Sequence, residues 1–145
     1  MLVAVEESVP EELRQRKLVG RLATYLQGYG EVLVRANGWD LAELERFRSD
    51  EVVEASSGAL DAVGTGEELS YLQDLLPATW LGAAAAGSAD DCAARVLDQF
   101  DAGADSVILH GAMPAELAPV LDAWRGIRPA ERFAALPRNP GWSTP

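Results

Sequence analysis

Cysteine and histidine each occur once in this chain, as Cys92 and His110. A lone cysteine closes no internal disulfide, so the sequence reads as a protein of a reducing compartment, the cytoplasm in the simplest case. One histidine, one cysteine and scattered acids cannot surround a zinc ion, and no metal-ligand spacing is present. Basic residues are scarce as well: 12 against 23 acidic ones, for a formal net charge of -11. A duplex binder needs a basic face to displace counterions, so nucleic acid is excluded as a partner, and the same acidity disfavours anionic membranes. Long apolar runs are missing, so no stretch reads as a membrane span, and the N-terminus has no basic-then-apolar leader pattern. No Gly-x-Gly-x-x-Gly follows a strand, and no Ser-His-Asp arrangement is recognisable. What remains is a 145-residue chain, 48% apolar, which is enough for one ordinary core.

The chain is organised around residues 87–111, GSADDCAARVLDQFDAGADSVILHG. Ser88 has the hydroxyl of a helix cap, and Asp90 and Asp91 bring negative charge to the first turn. Ala89, Cys92, Ala93, Val96, Leu97 and Phe100 repeat at three-and-four spacing along one helical face. Gly103 follows where a left-handed cap wants no side chain. Ser106–Leu109 is then short, branched and apolar, which predicts a buried strand at about 105–110.

The rest of the chain is arranged around that unit. Leu2–Val5 reads as a first strand, and Pro10, Glu11 and Glu12 open a helix after it. Leu18, Leu22, Tyr25, Leu26 and Tyr29 form its apolar stripe, up to a stop at Gly28/Gly30. Short helices are expected at 31–36, from the capping box Asp40-Leu-Ala-Glu43 through Phe47, at 50–55, and from a second box, Thr65-Gly-Glu-Glu68, through Leu76. Trp80-Leu81 adds a last turn, and Ala83–Ala86 reads as a degenerate strand. Met113-Pro114-Ala-Glu116 starts a helix whose face is Leu117, Val120, Leu121 and Trp124 and which ends at Gly126. From Arg128 on, Pro129, Pro137, Pro140 and Pro145 punctuate a tail without periodicity, with Trp142 near its end. Strands alternating with helices imply an α/β fold with a parallel sheet and helices over one side.

This layout resembles the C-terminal part of the luciferase-like flavin-dependent monooxygenases, a (β/α)8 TIM-barrel family with many oxidoreductases that use the deazaflavin coenzyme F-420. The residues that carry the resemblance are Leu2–Val5 with the Pro10 helix, Asn37-Gly38-Trp39-Asp40, Ala86-Gly87-Ser88-Ala89-Asp90-Asp91, and Ala102-Gly103-Ala104-Asp105-Ser106-Val107-Ile108-Leu109-His110. It covers roughly residues 1–127, with 128–145 as a Pro-rich tail. The resemblance implies a partial barrel of about its last three β/α units, and F-420 or FMN as the cofactor. It also implies that the family's cofactor-cradling residues, which lie on earlier units, are not in this chain. Such a chain would be inactive by itself and would pair with an N-terminal barrel half or form a homo-oligomer. The alternative is a non-catalytic remnant or interaction module that pairs with a partner chain.

Several residues are candidates for a site, each with a plainer role beside it. His110 ends the last predicted strand, where a barrel points side chains at the active-site mouth, and it could donate or accept a proton. Its plainer role is a turn histidine. Glu6 and Glu7 follow the first strand and would share the substrate-pocket rim with His110, or else simply charge a helix N-terminus. Cys92 lies in a first helical turn that favours a thiolate, but on the apolar face, where a small core residue fits better. Gly87-Ser88 could hold a phosphate on free N–H groups, although Asp90 and Asp91 would repel it. Trp39, Trp80 and Trp124 read as packing residues.

Overall fold

A computed structural model describes residues 1–6 and 8–134. Glu7 and Trp142 therefore lie outside the described residues. The fold is α/β and rich in helix. Strand β1 (Val3–Val5) pairs in parallel with β2 (Ala85–Gly87), in the register Val3↔Ala85, Ala4↔Ala86, Val5↔Gly87. Between them run α1 (Glu11–Gln15), a π-helical stretch (Arg16–Gly20), α2 (Arg21–Asn37), α3 (Leu41–Arg48), α4 (Glu51–Glu54), α5 (Leu60–Val63), α6 (Gly66–Leu75) and α7 (Ala78–Leu81). After β2 come α8 (Ala89–Asp101), α9 (Pro114–Ile127) and α10 (Ala130–Phe133).

The predicted strand at 105–110 is reduced to a single parallel bridge, Leu2↔His110. Val3 N–H donates to the His110 carbonyl at 3.0 Å, and His110 N–H to the Met1 carbonyl at 3.0 Å. Ile108 is 78% exposed rather than buried. A parallel strand holds its extended form when it has neighbours and cover on both faces. This segment has one neighbour, β1, so it touches the sheet and turns away at Gly111, whose φ is +80°.

β1 is thus the middle of the arrangement, with β2 on one edge and His110 on the other. Successive barrel units would lie in sequence order, with 105–110 beside β2. Both faces of β1 are closed, since Val3, Ala4 and Val5 are all buried. Crossovers of the usual right hand lay their helices on opposite faces when the chain steps first to one side and then to the other. Accordingly Val3, Val5 and Ala85 pack with Cys92 of α8 and Val120 of α9. Leu2, just before β1, lines a cavity together with Leu18, Leu22 and Tyr25. A second, larger core lies within the helical excursion, built on Leu26, Leu44, Phe47, Leu60, Leu69 and Leu72.

Side chains cap the helices at each start where a capping side chain is expected, α3, α6 and α8. Thr65 with Glu68 and Ser88 with Asp91 form reciprocal capping boxes. Asp40 caps α3 differently, accepting from Ala42 N–H at 2.9 Å while Glu43 pairs with Arg46. The stop expected at Gly28/Gly30 is absent: α2 continues to Asn37 across a kink at Tyr29 (φ −128°, ψ 18°). Gly30 serves packing instead, because a Cβ there would stand 2.5 Å from Leu44 Cδ1. The kink leaves Tyr29, placed on the apolar stripe, exposed. α9 likewise runs past Gly126, and Leu121 of its expected face is exposed. Residues 128–134 are no loose tail: Phe133 meets Phe100 edge-on at 4.9 Å and Trp124 at 5.6 Å.

Candidate functional site

An apolar concavity lies at the amino ends of the strands, between the sheet and α2. Leu2 precedes β1, Ala83 and Ala84 precede β2, and all three line it. The helix-face spacing of Leu18, Leu22 and Tyr25 puts their side chains on one wall. Beyond the kink, α2 adds Leu33 and Asn37. Gly38 then caps the helix in the left-handed region (φ 64°, ψ 30°) and turns the chain so that Trp39 enters the same space. Trp39 stacks on Trp80 of α7 with ring centroids 4.5 Å apart and planes 11° from parallel. Trp80 is only 3% exposed, so the stack is a fixed flat wall. The cavity measures about 170 Å³.

Two side chains bring chemistry to this apolar space. Arg21 Nη1 forms an ion pair with Asp61 Oδ2 at 3.0 Å, and its guanidinium lies 6.0 Å from the Tyr25 ring centroid. His110 lines the edge, and its ring has no hydrogen-bond partner among the described residues. The imidazole is held below its ordinary pKa, first by partial burial and then by the positive charges of the Met1 ammonium and Arg21. Its ring is still open to solvent, so the shift reflects contact with the apolar wall rather than full enclosure. Near neutral pH it is an uncharged group with one donor and one acceptor nitrogen.

His110 and Glu6 do not share a rim. His110 is level with Leu2, four residues before Glu6, a separation of about 13 Å along an extended strand. Glu6 sits at the other end of β1, accepts from Arg14 at 2.6 Å and is absent from the cavity wall. Arg14 is held there by Glu11 as well, and its pKa is raised by that bond first. Cys92 is fully buried, with its Sγ 3.4 Å from the Ala85 carbonyl, as befits a core thiol. The Gly87-Ser88 turn is occupied by its own helix. Asp91 Oδ2 accepts from Ser88 N–H at 3.1 Å and Ser88 O–H at 2.6 Å, and these bonds keep the Asp91 carboxyl below its ordinary range. An incoming phosphate would meet that carboxylate first.

For the phosphate of a flavin or deazaflavin, Arg21 is the one guanidinium on the cavity wall, and it is paired with Asp61. Among the described residues there is no group of three or more His, Cys, Asp or Glu side chains placed to hold a metal ion, and no helix is long and apolar enough to cross a membrane. Compared with known proteins, the chain matches no family model, no curated protein and no solved structure.

Sequence reasoning found His110 but missed its companions. Arg21 carries no sequence signal and Asn37 reads only as part of the Asn37-Gly38 turn, because both flank an apolar stripe that reads as ordinary core. Trp39 and Trp80 read as packing residues, which they are, and they are also the cavity's wall. The available signal was the excess of the stripe: Leu18, Leu22 and Tyr25 face a sheet edge whose own side chains there, Leu2, Ala83 and Ala84, are too few and small to fill the space.

Proposed function

We propose that this chain supplies the substrate-side wall of a luciferase-like oxidoreductase whose flavin or deazaflavin is held by another chain or segment. The observation that carries the reading is His110: the single histidine, uncharged near pH 7, at the edge of an apolar, aromatic-walled cavity. The cofactor would supply the hydride chemistry. This chain's part would be to exclude water with Leu18, Leu22 and the Trp39–Trp80 stack, and to hold or move a proton at His110. A partial-barrel arrangement requires 105–110 to leave β1 for the β2 edge. That exchange breaks the two backbone bonds between Val3, His110 and Met1, at a net cost of about 1 kcal/mol each.

The test is cofactor binding with and without the missing part. The isolated chain should not bind FMN or the deazaflavin at micromolar concentration when titrated by fluorescence. Mixed with an N-terminal barrel half of a luciferase-like enzyme, it should retain cofactor through gel filtration. Micromolar binding by the monomeric chain would overturn the reading, and so would a mixture that never associates.

A second reading, a non-catalytic interaction module, is favoured by one feature. Ile108 and Met113, 78% and 67% exposed, flank an unpaired sheet edge. Such an edge invites a strand from a partner or a second copy. Association that buries this edge without recruiting any cofactor would favour this reading over the first.

A further inference from the structure

We propose that the cavity binds a single-ring aromatic carboxylate, with its ring against the tryptophan wall and its carboxylate on Arg21. The inference deepens the reading of this cavity as a substrate wall, but its test involves neither flavin nor turnover.

Size comes first. A cavity of about 170 Å³ is close to the volume known to admit benzene in a protein interior. Aliphatic walls from Leu18, Leu22 and Leu33 with the stacked Trp39 and Trp80 suit a single ring. Charge comes second. The chain carries a net charge of -11, yet no aspartate or glutamate lines this cavity and Arg21 does, with Asp61 behind it offsetting part of its charge. The cavity wall is thus spared the acidic side chains that would repel an anion. Donor capacity comes third. Arg21 carries five N–H donors and is ion-paired with Asp61 Oδ2, while Asp61 Oδ1 accepts from Thr24 O–H at 2.9 Å. The Arg21 side chain is 43% exposed, so it can take a carboxylate without losing Asp61. His110, uncharged and without a ring partner among the described residues, offers a further donor at the same edge.

Isothermal titration at pH 7.5 with benzoate, benzyl alcohol, acetate and 2-naphthoate separates these contributions, and the single His110 ring signal in a proton NMR spectrum reports the site. We expect benzoate to bind at least tenfold tighter than benzyl alcohol and to move the His110 signal, while acetate and 2-naphthoate do neither. Arg21→Met should bring benzoate down to the affinity of benzyl alcohol and leave benzyl alcohol unchanged. Ala84→Phe, which fills the cavity, should remove both. Equal affinity of the wild-type chain for benzoate and benzyl alcohol would overturn the proposal without recourse to any variant. So would the absence of binding by either ring compound, or a benzoate preference that survives Arg21→Met in a folded variant. A failed reconstitution with an N-terminal half would count against the oxidoreductase reading and leave these outcomes as they stand.

Discussion

Replacing Lys17 by Met should cost about 2 kcal/mol at pH 7, and the cost should fade in acid. Lys17, in the π-helical stretch, donates to Glu116 Oε2 of α9 at 2.6 Å, tying the helical layer to the helix behind the sheet. The two side chains are only 13% and 17% exposed, so the pair is neither solvated nor deeply interred. Exposed pairs contribute about 0–1 kcal/mol, and removing one partner of a buried pair costs about 3–5. Glu116 keeps a second partner, Met113 N–H at 2.9 Å, which limits the loss. An intermediate value of about 2 kcal/mol follows, or roughly 4–8 °C in Tm for a domain of this size. The pH dependence has a definite sign. The Glu116 carboxyl is held below its ordinary pKa, first by Lys17 and then by Met113 N–H. Its stabilising contribution is therefore present above the unfolded-state value of about 4.5 and lost as pH falls through the folded value. Urea unfolding followed by tryptophan fluorescence at pH 7 and at pH 3.5 should show the wild-type advantage over Lys17→Met narrowing at the lower pH. A cycle with Glu116→Gln should give a coupling of about 1–2 kcal/mol at pH 7. A Lys17→Met loss below 0.5 kcal/mol, or one that is equal at both pH values, would refute the reasoning.

Three further outcomes are expected. Gly30→Ala should destabilise by about 1–3 kcal/mol because its methyl would press on Leu44, whereas Gly28→Ala, in the same helix with open space around it, should stabilise by about 0.5–1 kcal/mol; thermal melts of the two variants moving in the same direction would contradict the packing account. The His110 ring signal should titrate with a midpoint below 6.5 in the folded chain, so that its contribution to stability is complete above the unfolded value and lost as pH falls through the folded one; a midpoint at or above 6.5 in the NMR titration would remove the apolar-wall argument. Phe133→Ala should cost about 1–2 kcal/mol in urea unfolding, since it takes one ring from a cluster with Phe100 and Trp124, and no loss would mean that α10 is undocked in solution.

The parts of this protein that depend on neighbours in sequence were legible without coordinates. Ser88 and Thr65 open their helices as their hydroxyls and the acids three residues on dictate, Gly103 takes the left-handed region, and Leu2–Val5 and Ala83–Ala86 both lead into strands, because caps and short apolar runs are settled within a turn or two of chain. Sheet order was not. The same two strands and the same apolar 105–110 segment serve a row of barrel units or a sheet with β1 in the middle, and the choice rests on which edge His110 reaches, a contact between residues 2 and 110. Glycine had the same ambiguity: Gly30 reads as a stop by propensity and proves to be the gap into which Leu44 fits. The candidate site belongs wholly to this second kind. Arg21, Trp39, Trp80 and His110 are spread over most of the chain, and only the packing of α2 against the amino ends of the strands gathers them around one space. Local sequence determined the caps and the first two strands; contacts with distant segments decided which strand is central, how far 105–110 stays extended and where the cavity opens.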